Sequence, residues 1–473
     1  MVFSSSIFLL YFFPIVLLVY YLVPKKLKNI WLVIASLFFY TWGAPVYVLI
    51  VLFSLVADFF FAKYIFRLSG KRKKMLLTLA LSVNIGLLAY FKYANFFIEN
   101  INYALTQFGI GPFEWTKVIL PIGISFFTFH EMSYLIDVYR NDKPPLKHIT
   151  DYALYILFFP QLISGPIIRF NEIADQILNR ETKENIDNRL VGFFRFIIGL
   201  AKKVLIANVM GETADQIFAL APEQLTTSLS WIGILAYTFQ IYFDFSGYSD
   251  MAIGMARMMG FVFPENFNNP YISQSITEFW RRWHMTLSRW MRDYLYIPLG
   301  GNRVSKQRMY FNLCFVFLIS GFWHGAAWTF IFWGAYHGLF LILDRIFLLK
   351  VLQKIGKFPA TLFTFLITMI GWVFFRSENL SLAWKFLGKM FSFNFQTSDI
   401  EISQKFWFIL IFAILFSFWG IIKGMEKWQI HIYEPTHKVA TYFVFTGVAL
   451  LLLIVSISSI NSSGFNPFIY FRF

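Results

Sequence analysis

Met309-Tyr-Phe-Asn-Leu-Cys-Phe-Val-Phe-Leu-Ile-Ser-Gly-Phe-Trp-His324-Gly-Ala-Ala-Trp-Thr-Phe-Ile-Phe-Trp-Gly-Ala-Tyr-His337-Gly-Leu-Phe-Leu-Ile-Leu-Asp344 reads as an apolar hairpin with an ionisable side chain, His324, near its middle. Arg308 precedes the run and Arg345 follows it, which puts both ends on the cytoplasmic side of a bilayer. The arm from Met309 to Phe322 is about 14 residues, and at roughly 1.5 Å each it reaches about 21 Å. A hydrocarbon core is about 30 Å thick, so His324 is expected at depth rather than at the far surface. A charge-bearing residue there is costly and reads as functional. Imidazole is also the side chain best suited to take and return a proton near neutral pH.

The rest of the chain agrees with a membrane setting. Of 473 residues, 58% are hydrophobic and only 14% are charged. A soluble domain carries about a quarter charged residues. Apolar runs of about 20 residues recur, which argues for an all-α polytopic protein. The net charge of +15 does not point to nucleic acid. Its basic residues cluster at the ends of apolar runs, as in Lys25-Lys26-Leu27-Lys28, Lys71-Arg72-Lys73-Lys74 and Arg281-Arg282. Cys314 is the single cysteine, so neither an intrachain disulfide nor a cysteine metal site is available. Phe3 to Val23 lacks a basic leader and a small-residue cleavage site, and reads as a retained first span.

Placing the basic clusters in the cytoplasm gives a self-consistent path. The N-terminus lies outside. Asn29 to Phe66 leaves and returns around Gly43-Ala44-Pro45. Met75 to Phe97 exits, Asn100 to Lys117 is an external loop, and Val118 to Tyr139 returns. Tyr152 to Ile168 is broken by Pro160, Gly165 and Pro166 and reads as re-entrant. Leu190 to Val209 exits, Gly211 to Gln224 is external, and Leu229 to Phe243 returns. Phe279, Trp283, Leu287 and Trp290 recur at helical spacing opposite arginines, which predicts an amphipathic helix lying in the interface. After the hairpin, Phe358 to Phe375 exits, Phe406 to Ile422 returns and Val439 to Ile460 exits, leaving the C-terminus outside. The expectation is roughly eleven spans in a single membrane domain over 1–473, with no transporter-like repeat.

Several chemistries are excluded. No Gly-x-Ser-x-Gly elbow, P-loop or dinucleotide fingerprint occurs. No paired metal-ligand histidines sit on one helical turn, so no metal is expected. Of the seven histidines, His148, His431 and His437 fall in polar loops, while His130 and His337 read as structural. Tyr242-Phe-Asp244-Phe-Ser246-Gly-Tyr248-Ser249-Asp250-Met-Ala-Ile-Gly254 places two carboxylates and several hydroxyls at the end of a span. It is either an ion-paired knot with nearby arginines or the polar wall of a tunnel.

Many stretches together resemble the membrane-bound O-acyltransferase superfamily, and within it the bacterial alginate O-acetylation branch. They include Tyr90-Phe-Lys-Tyr-Ala-Asn95, Leu120-Pro-Ile-Gly-Ile-Ser-Phe126 and Ser133-Tyr-Leu-Ile-Asp-Val-Tyr-Arg140. Phe159-Pro-Gln-Leu-Ile-Ser-Gly-Pro166, the Tyr242–Gly254 stretch and Asn269-Pro-Tyr-Ile-Ser-Gln-Ser-Ile-Thr-Glu-Phe-Trp-Arg-Arg-Trp-His284 follow in family order. Arg292-Asp-Tyr-Leu-Tyr-Ile-Pro-Leu-Gly-Gly-Asn302 and Gly321-Phe-Trp-His-Gly325 complete the set. The likeness fades past residue 350, which divides the chain into a family-like core (1–350), C-terminal spans (351–460) and an aromatic external tail (461–473).

The resemblance implies a helical ring around a central tunnel in the bacterial cytoplasmic (inner) membrane. It implies His324 as the essential histidine and His284 as the second polar site residue. The implied donor is acetyl-CoA or another cytosolic acyl thioester. The implied acceptor is an extracytoplasmic polysaccharide, reached directly or through a secreted transferase.

The residues suit that chemistry. A thioester needs a deprotonated oxygen and a stabilised oxyanion, not ATP. His324 would act as general base, and His284, Asn302 or backbone N–H groups would hold the oxyanion. Asp244, Ser246, Tyr248, Asp250, Trp283 and Trp323 would line the tunnel with Asn302. Arg281, Arg282, Arg289 and Arg292 would attract the donor's phosphates, or anchor the cytoplasmic face. The chain ends Ser462-Ser-Gly-Phe-Asn-Pro-Phe-Ile-Tyr470-Phe-Arg-Phe473. That tail is either an aromatic anchor or a strand of chain that offers Tyr470 as first acyl acceptor. Two other functions are kept in view: D-alanyl transfer to teichoic acid, and a non-enzymatic polysaccharide transporter or flippase.

Overall fold

The computed structural model describes residues 2–395, 400–462 and 465, and every regular element among them is helical. They form two compact units.

The first unit comprises Ile7–Glu184 and Met259–Phe263. Its helices are α1 (Phe13–Leu22), α2 (Lys25–Gly43), α3 (Val48–Arg67), α4 (Gly70–Leu88), α5 (Ala94–Gln107), α6 (Ile124–Arg140), α7 (Ile149–Leu157), α8 (Phe159–Leu162) and α9 (Phe170–Leu178). A π-helical turn, Ala89–Tyr93, carries α4 directly into α5. The external loop expected from Asn100 therefore begins only after Gln107. The polar residues of 94–107 had masked the apolar repeat at Phe97, Ile101 and Leu105. Gly123 opens α6 with φ 80°, and a Cβ there would meet the Leu162 carbonyl oxygen at 2.8 Å.

Beyond α8, residues 163–168 are not helical but stay buried. Their neighbourhood supplies the missing bonds, as it must in hydrocarbon. The Ile168 N–H donates to His130 Nε2 at 3.3 Å, and Tyr155 Oη donates to the Ile168 carbonyl at 3.0 Å.

The second unit comprises Val2–Ser6, Asn185–Met258 and Pro264–Phe473. It starts with α10 (Ile186–Ala201), a π segment (Lys202–Ala207), α11 (Asn208–Phe218) and α12 (Thr227–Met258). Helix α11 occupies most of the expected external loop from Gly211. Gly192 faces Gly254 and Gly199 faces Gly247 across the α10–α12 contact. A Cβ on Gly254 or Gly199 would come within 2.5 Å of the opposing glycine carbonyl. Small residues of this kind let helices approach closely where no hydrophobic force drives them together. The 32 residues of α12 run on past Phe243, so Asp244 to Asp250 lie within one helix and not at the end of a span.

The unit continues with α13 (Ile276–Arg282), α14 (Met285–Met291), α15 (Lys306–His324), α16 (Trp328–Leu343) and α17 (Leu349–Ile355). It closes with α18 (Lys357–Arg376), α19 (Leu380–Met390), α20 (Gln404–Phe418), α21 (Met425–Ile432) and α22 (Val439–Ser462). The amphipathic helix expected through Phe279 and Trp290 is instead two short helices broken at His284. Phe279, Trp283, Leu287 and Trp290 are all buried, so their stripe faces protein rather than lipid headgroups.

Among the described residues, five helical stretches are long and apolar enough to cross a bilayer: Pro45–Arg67, Gly70–Gln107, Lys357–Arg376, Gln404–Ile421 and Val439–Ser462. Helix α22 buries only Ala449 and Ser456.

The two arms of the hairpin pack closely at Gly321. A Cβ on Gly321 would lie 2.3 Å from the Phe330 carbonyl oxygen and 3.1 Å from Gly334 Cα. Gly321→Val should therefore destabilise the protein by roughly 1–3 kcal/mol through overpacking. Gly447→Ala, with nothing within 4 Å, should be neutral. Thermal melts in detergent compare the two. Equal melting temperatures for Gly321→Val and the parent would contradict this packing.

Candidate active site

Helix α15 ends on His324. Ser305 caps its start by accepting from the Arg308 N–H, and Gly325 leaves the helix in extended backbone. The helix begins earlier than the apolar run, but the rise from Met309 to His324 is still about 24 Å, short of a core about 30 Å thick. The His324 side chain sits among aromatic rings and is 7% exposed. Its ring centroid is 4.9 Å from Trp323, 5.2 Å from Trp333 and 5.3 Å from Phe375. Trp323 also approaches His284, at 6.5 Å. One indole therefore approaches both histidines singled out from sequence.

His284 occupies the break between α13 and α14. Its backbone is left-handed, with φ 42° and ψ 53°. Few non-glycine residues adopt that conformation, and it marks strain held in place by surrounding structure. The holding is visible. The Asn268 N–H donates to the Arg282 carbonyl at 2.9 Å, and the Met285 N–H donates to the Asn266 carbonyl at 2.9 Å. Two backbone bonds thus clamp the chain on either side of residue 284. The ring is fully buried, with Nδ1 3.0 Å from Asn266 Oδ1 and the Phe245 ring 4.7 Å away.

The α12 carboxylates are ion-paired. Asp244 pairs with Lys203 at 2.9 Å, both almost fully buried. Asp250 takes Arg195 at 2.9 Å and Lys202 at 2.7 Å, and Arg195 also pairs with Glu265. This is an ion-paired knot. It also forms one wall of a cavity of about 410 Å³, lined among others by Tyr242, Ser246, Asp250 and Asn266. Ser246 Oγ lines it with no hydrogen-bond partner among the described residues. Three cationic side chains of the lining (Arg195, Lys202, Arg257) face four carboxylates (Asp250, Glu265, Glu426, Glu434).

Other sequence candidates lie elsewhere. Tyr248 stacks on Phe3 at 4.3 Å. Trp283 packs in the aromatic core against Trp372 at 5.0 Å. Arg282 pairs with Glu278 and Glu426, Arg292 pairs with Asp293, and Arg281 is exposed. Asn302 is exposed and accepts from Tyr296 Oη at 2.7 Å. Tyr470 lies outside the described residues. Among those described, no group of three or more His, Cys, Asp or Glu side chains could hold a metal ion.

Sequence reasoning missed Arg195, Lys202 and Lys203, although charged residues inside an apolar run are themselves a signal. It also missed Asn266. His337, read as structural, is fully buried against Trp333 and Trp280, at 5.0 and 5.2 Å. Neither of its nitrogens has a hydrogen-bond partner among the described residues.

With this geometry in place, comparison with known proteins defines the class. The chain belongs to the membrane-bound O-acyltransferase family, whose profile matches residues 66–375. It is a membrane protein and an O-acyltransferase. Among its relatives, the "Probable alginate O-acetylase AlgI" of Azotobacter vinelandii is 42% identical over the whole of both chains. The "Peptidoglycan O-acetyltransferase" of Helicobacter pylori is 41% identical over 83% of this chain and 80% of its own. The "Teichoic acid D-alanyltransferase" of Streptococcus thermophilus is 34% identical over 48% of this chain and 58% of its own. The likeness thus continues beyond residue 350. The family match itself ends on Phe375, one of the rings around His324.

Lys203 and Asp244 provide a test of the polar knot. Lys203→Met leaves a buried carboxylate without its cation, and should cost about 3–5 kcal/mol. Adding Asp244→Asn should recover much of the loss. Unfolding midpoints of the single and double variants decide it; identical losses would contradict a coupled pair.

Proposed function

We propose that this enzyme moves an acetyl group from acetyl-CoA, a cytosolic thioester, to an extracytoplasmic polysaccharide, with His324 as general base. The observation that supports it most is two buried histidines that both approach Trp323, one of them, His324, at the end of the hairpin's first arm. In the reaction the acceptor oxygen attacks the acyl carbon while His324 takes its proton. The new C–O bond forms, the C–S bond breaks, and the proton passes from His324 to the departing thiolate. The oxyanion between these events needs donors. Asn302 is exposed, so backbone N–H groups near residue 325, or His284, are the donors left.

The donor's arm reaches the site through the cavity bounded by Ser246, Asp250 and Asn266. Its charged lining is largely self-paired. The lining therefore suits the amides of the arm, while the phosphates stay at the basic surface near Arg281. The basic loops support a cytoplasmic position for that surface in a bacterial inner membrane, with both termini outside. Acetyl is favoured over D-alanyl because relatives named as acetyl-transferring align along most or all of the chain, whereas those named for D-alanyl transfer align over half.

The acceptor is reached directly or through Tyr470 and a secreted transferase. One contact supports the relay: Asn208 Nδ2 donates to the Phe465 carbonyl at 3.2 Å, and Asn208 Oδ1 accepts from Lys203 at 2.8 Å. Five residues before Tyr470, the tail is thus tied to the ion pair at Asp244.

His324→Ala should lower acetyl transfer from labelled acetyl-CoA at least about 100-fold, with the protein still folded in membranes. Tyr470→Phe should abolish polymer acetylation. Undiminished label in the polymer for His324→Ala would overturn the assignment of the base; the same result for Tyr470→Phe would overturn the relay.

A further inference from the structure

Asn266 is almost fully buried, and every polar atom of its side chain is engaged. Its Oδ1 accepts from Thr286 Oγ1 at 2.9 Å and from the Thr286 N–H at 3.4 Å, and stands 3.0 Å from His284 Nδ1. Its Nδ2 donates to Ser249 Oγ at 2.9 Å. The orientation of this amide is not arbitrary. A backbone N–H only donates, so the atom that faces Thr286 N must be the oxygen. An amide oxygen only accepts, so His284 Nδ1 must carry a proton. In the neutral ring Nε2 is then bare. That atom is buried and has no hydrogen-bond partner among the described residues.

We propose that Asn266 is a positioning residue that locks His284 in its Nδ1–H form and presents Nε2 as a hydrogen-bond acceptor for the incoming hydroxyl. This rests on the reading of His284 as a site residue. It assigns His284 a different task from oxyanion stabilisation, because the neutral ring has no proton left to donate from Nε2. The oxyanion falls to backbone N–H groups. His284 accepts the hydroxyl's hydrogen bond and orients its lone pair, and His324 removes the proton. Asn266 also lines the donor cavity, so one side chain touches both the donor's route and the ring that orients the acceptor. The left-handed backbone at 284 serves the same end, since the Met285 N–H bonds the Asn266 carbonyl.

The charged groups on the elements around His284 are already committed. On α12, Asp244 pairs with Lys203, and Asp250 with Arg195 and Lys202. Glu265, next to Asn266, pairs with Arg195. On the flanking short helices, Arg282 pairs with Glu278 and Glu426, and Arg289 reaches the Glu265 carbonyl. His324 on α15 packs against Trp323, which also approaches His284.

Asn266→Asp tests the assignment. A carboxylate against Nδ1–H stabilises the imidazolium, which turns Nε2 from acceptor to donor. The acidic limb of kcat against pH should move up by about one unit or more, with activity recovering at high pH and KM for acetyl-CoA little changed. Asn266→Ala should lower kcat at every pH. A merely structural role would lower the Asn266→Asp profile without moving its limb, and that result overturns the proposal. If His284→Ala transfers acetyl normally, the site reading itself fails; if that variant is inactive while the Asn266→Asp limb is unmoved, only the tautomer assignment fails. Should Asn266→Asp not fold, nitrogen NMR of 15N-histidine-labelled protein, with His284→Gln as the subtraction, reads the tautomer directly. A protonated Nε2 and bare Nδ1 in neutral His284 would overturn it.

Discussion

The left-handed turn at His284 is the constraint on which the site depends. A helix continuing from α13 into α14 would point residue 284 wherever the helical repeat sent it. Two backbone bonds from the 266–268 stretch stop that, one to the Arg282 carbonyl and one from the Met285 N–H. The strain of a non-glycine left-handed residue persists only when its surroundings overdetermine it. Here they do. The same stretch that clamps the backbone also supplies the Asn266 side chain that meets the imidazole. Backbone conformation, ring orientation and cavity wall are therefore one arrangement.

The membrane setting explains why that arrangement is so densely paired. Charges away from water must find partners in the protein. Lys203 meets Asp244, and Arg195 is shared between Asp250 and Glu265. Around the histidines the wall is aromatic. Trp323, Trp333 and Phe375 surround His324 with large, rigid, apolar faces. Close glycine contacts join α10 to α12 and α15 to α16.

The hairpin and its histidine were legible because both signals are local. Long apolar arms meet at Gly-Phe-Trp-His-Gly, and an ionisable residue among them stands out. The Asp244–Asp250 motif was legible as either a knot or a wall; its carboxylates are ion-paired, and Ser246 and Asp250 line a cavity. The break at His284 was hidden. Phe279, Trp283, Leu287 and Trp290 keep helical spacing straight through it, and the residues that impose it, Asn266 and Asn268, lie some distance back along the chain. Helices α5 and α11 were read as loops because their polar residues mask a one-sided repeat. The π segments at Ala89–Tyr93 and Lys202–Ala207, which carry those helices onward, have no simple sequence mark. Asn302 looked like a site residue by its neighbourhood in sequence, but its own side-chain partner, Tyr296, keeps it at the surface.

The central claim is that an acyl group crosses from a cytosolic thioester to an acceptor on the other side through the His324 chamber. Sealed vesicles of the purified protein, with cytoplasmic face outward, test it most directly. Acetyl-CoA labelled separately in its acetyl and nucleotide parts is supplied outside, and the acceptor polysaccharide, with its secreted transferase where one is needed, is enclosed within. The account predicts acetyl label inside as an ester, an equal amount of free thiol outside, and no nucleotide label inside. Nucleotide label entering with the acetyl group, or polymer moving with no thioester consumed, would contradict it.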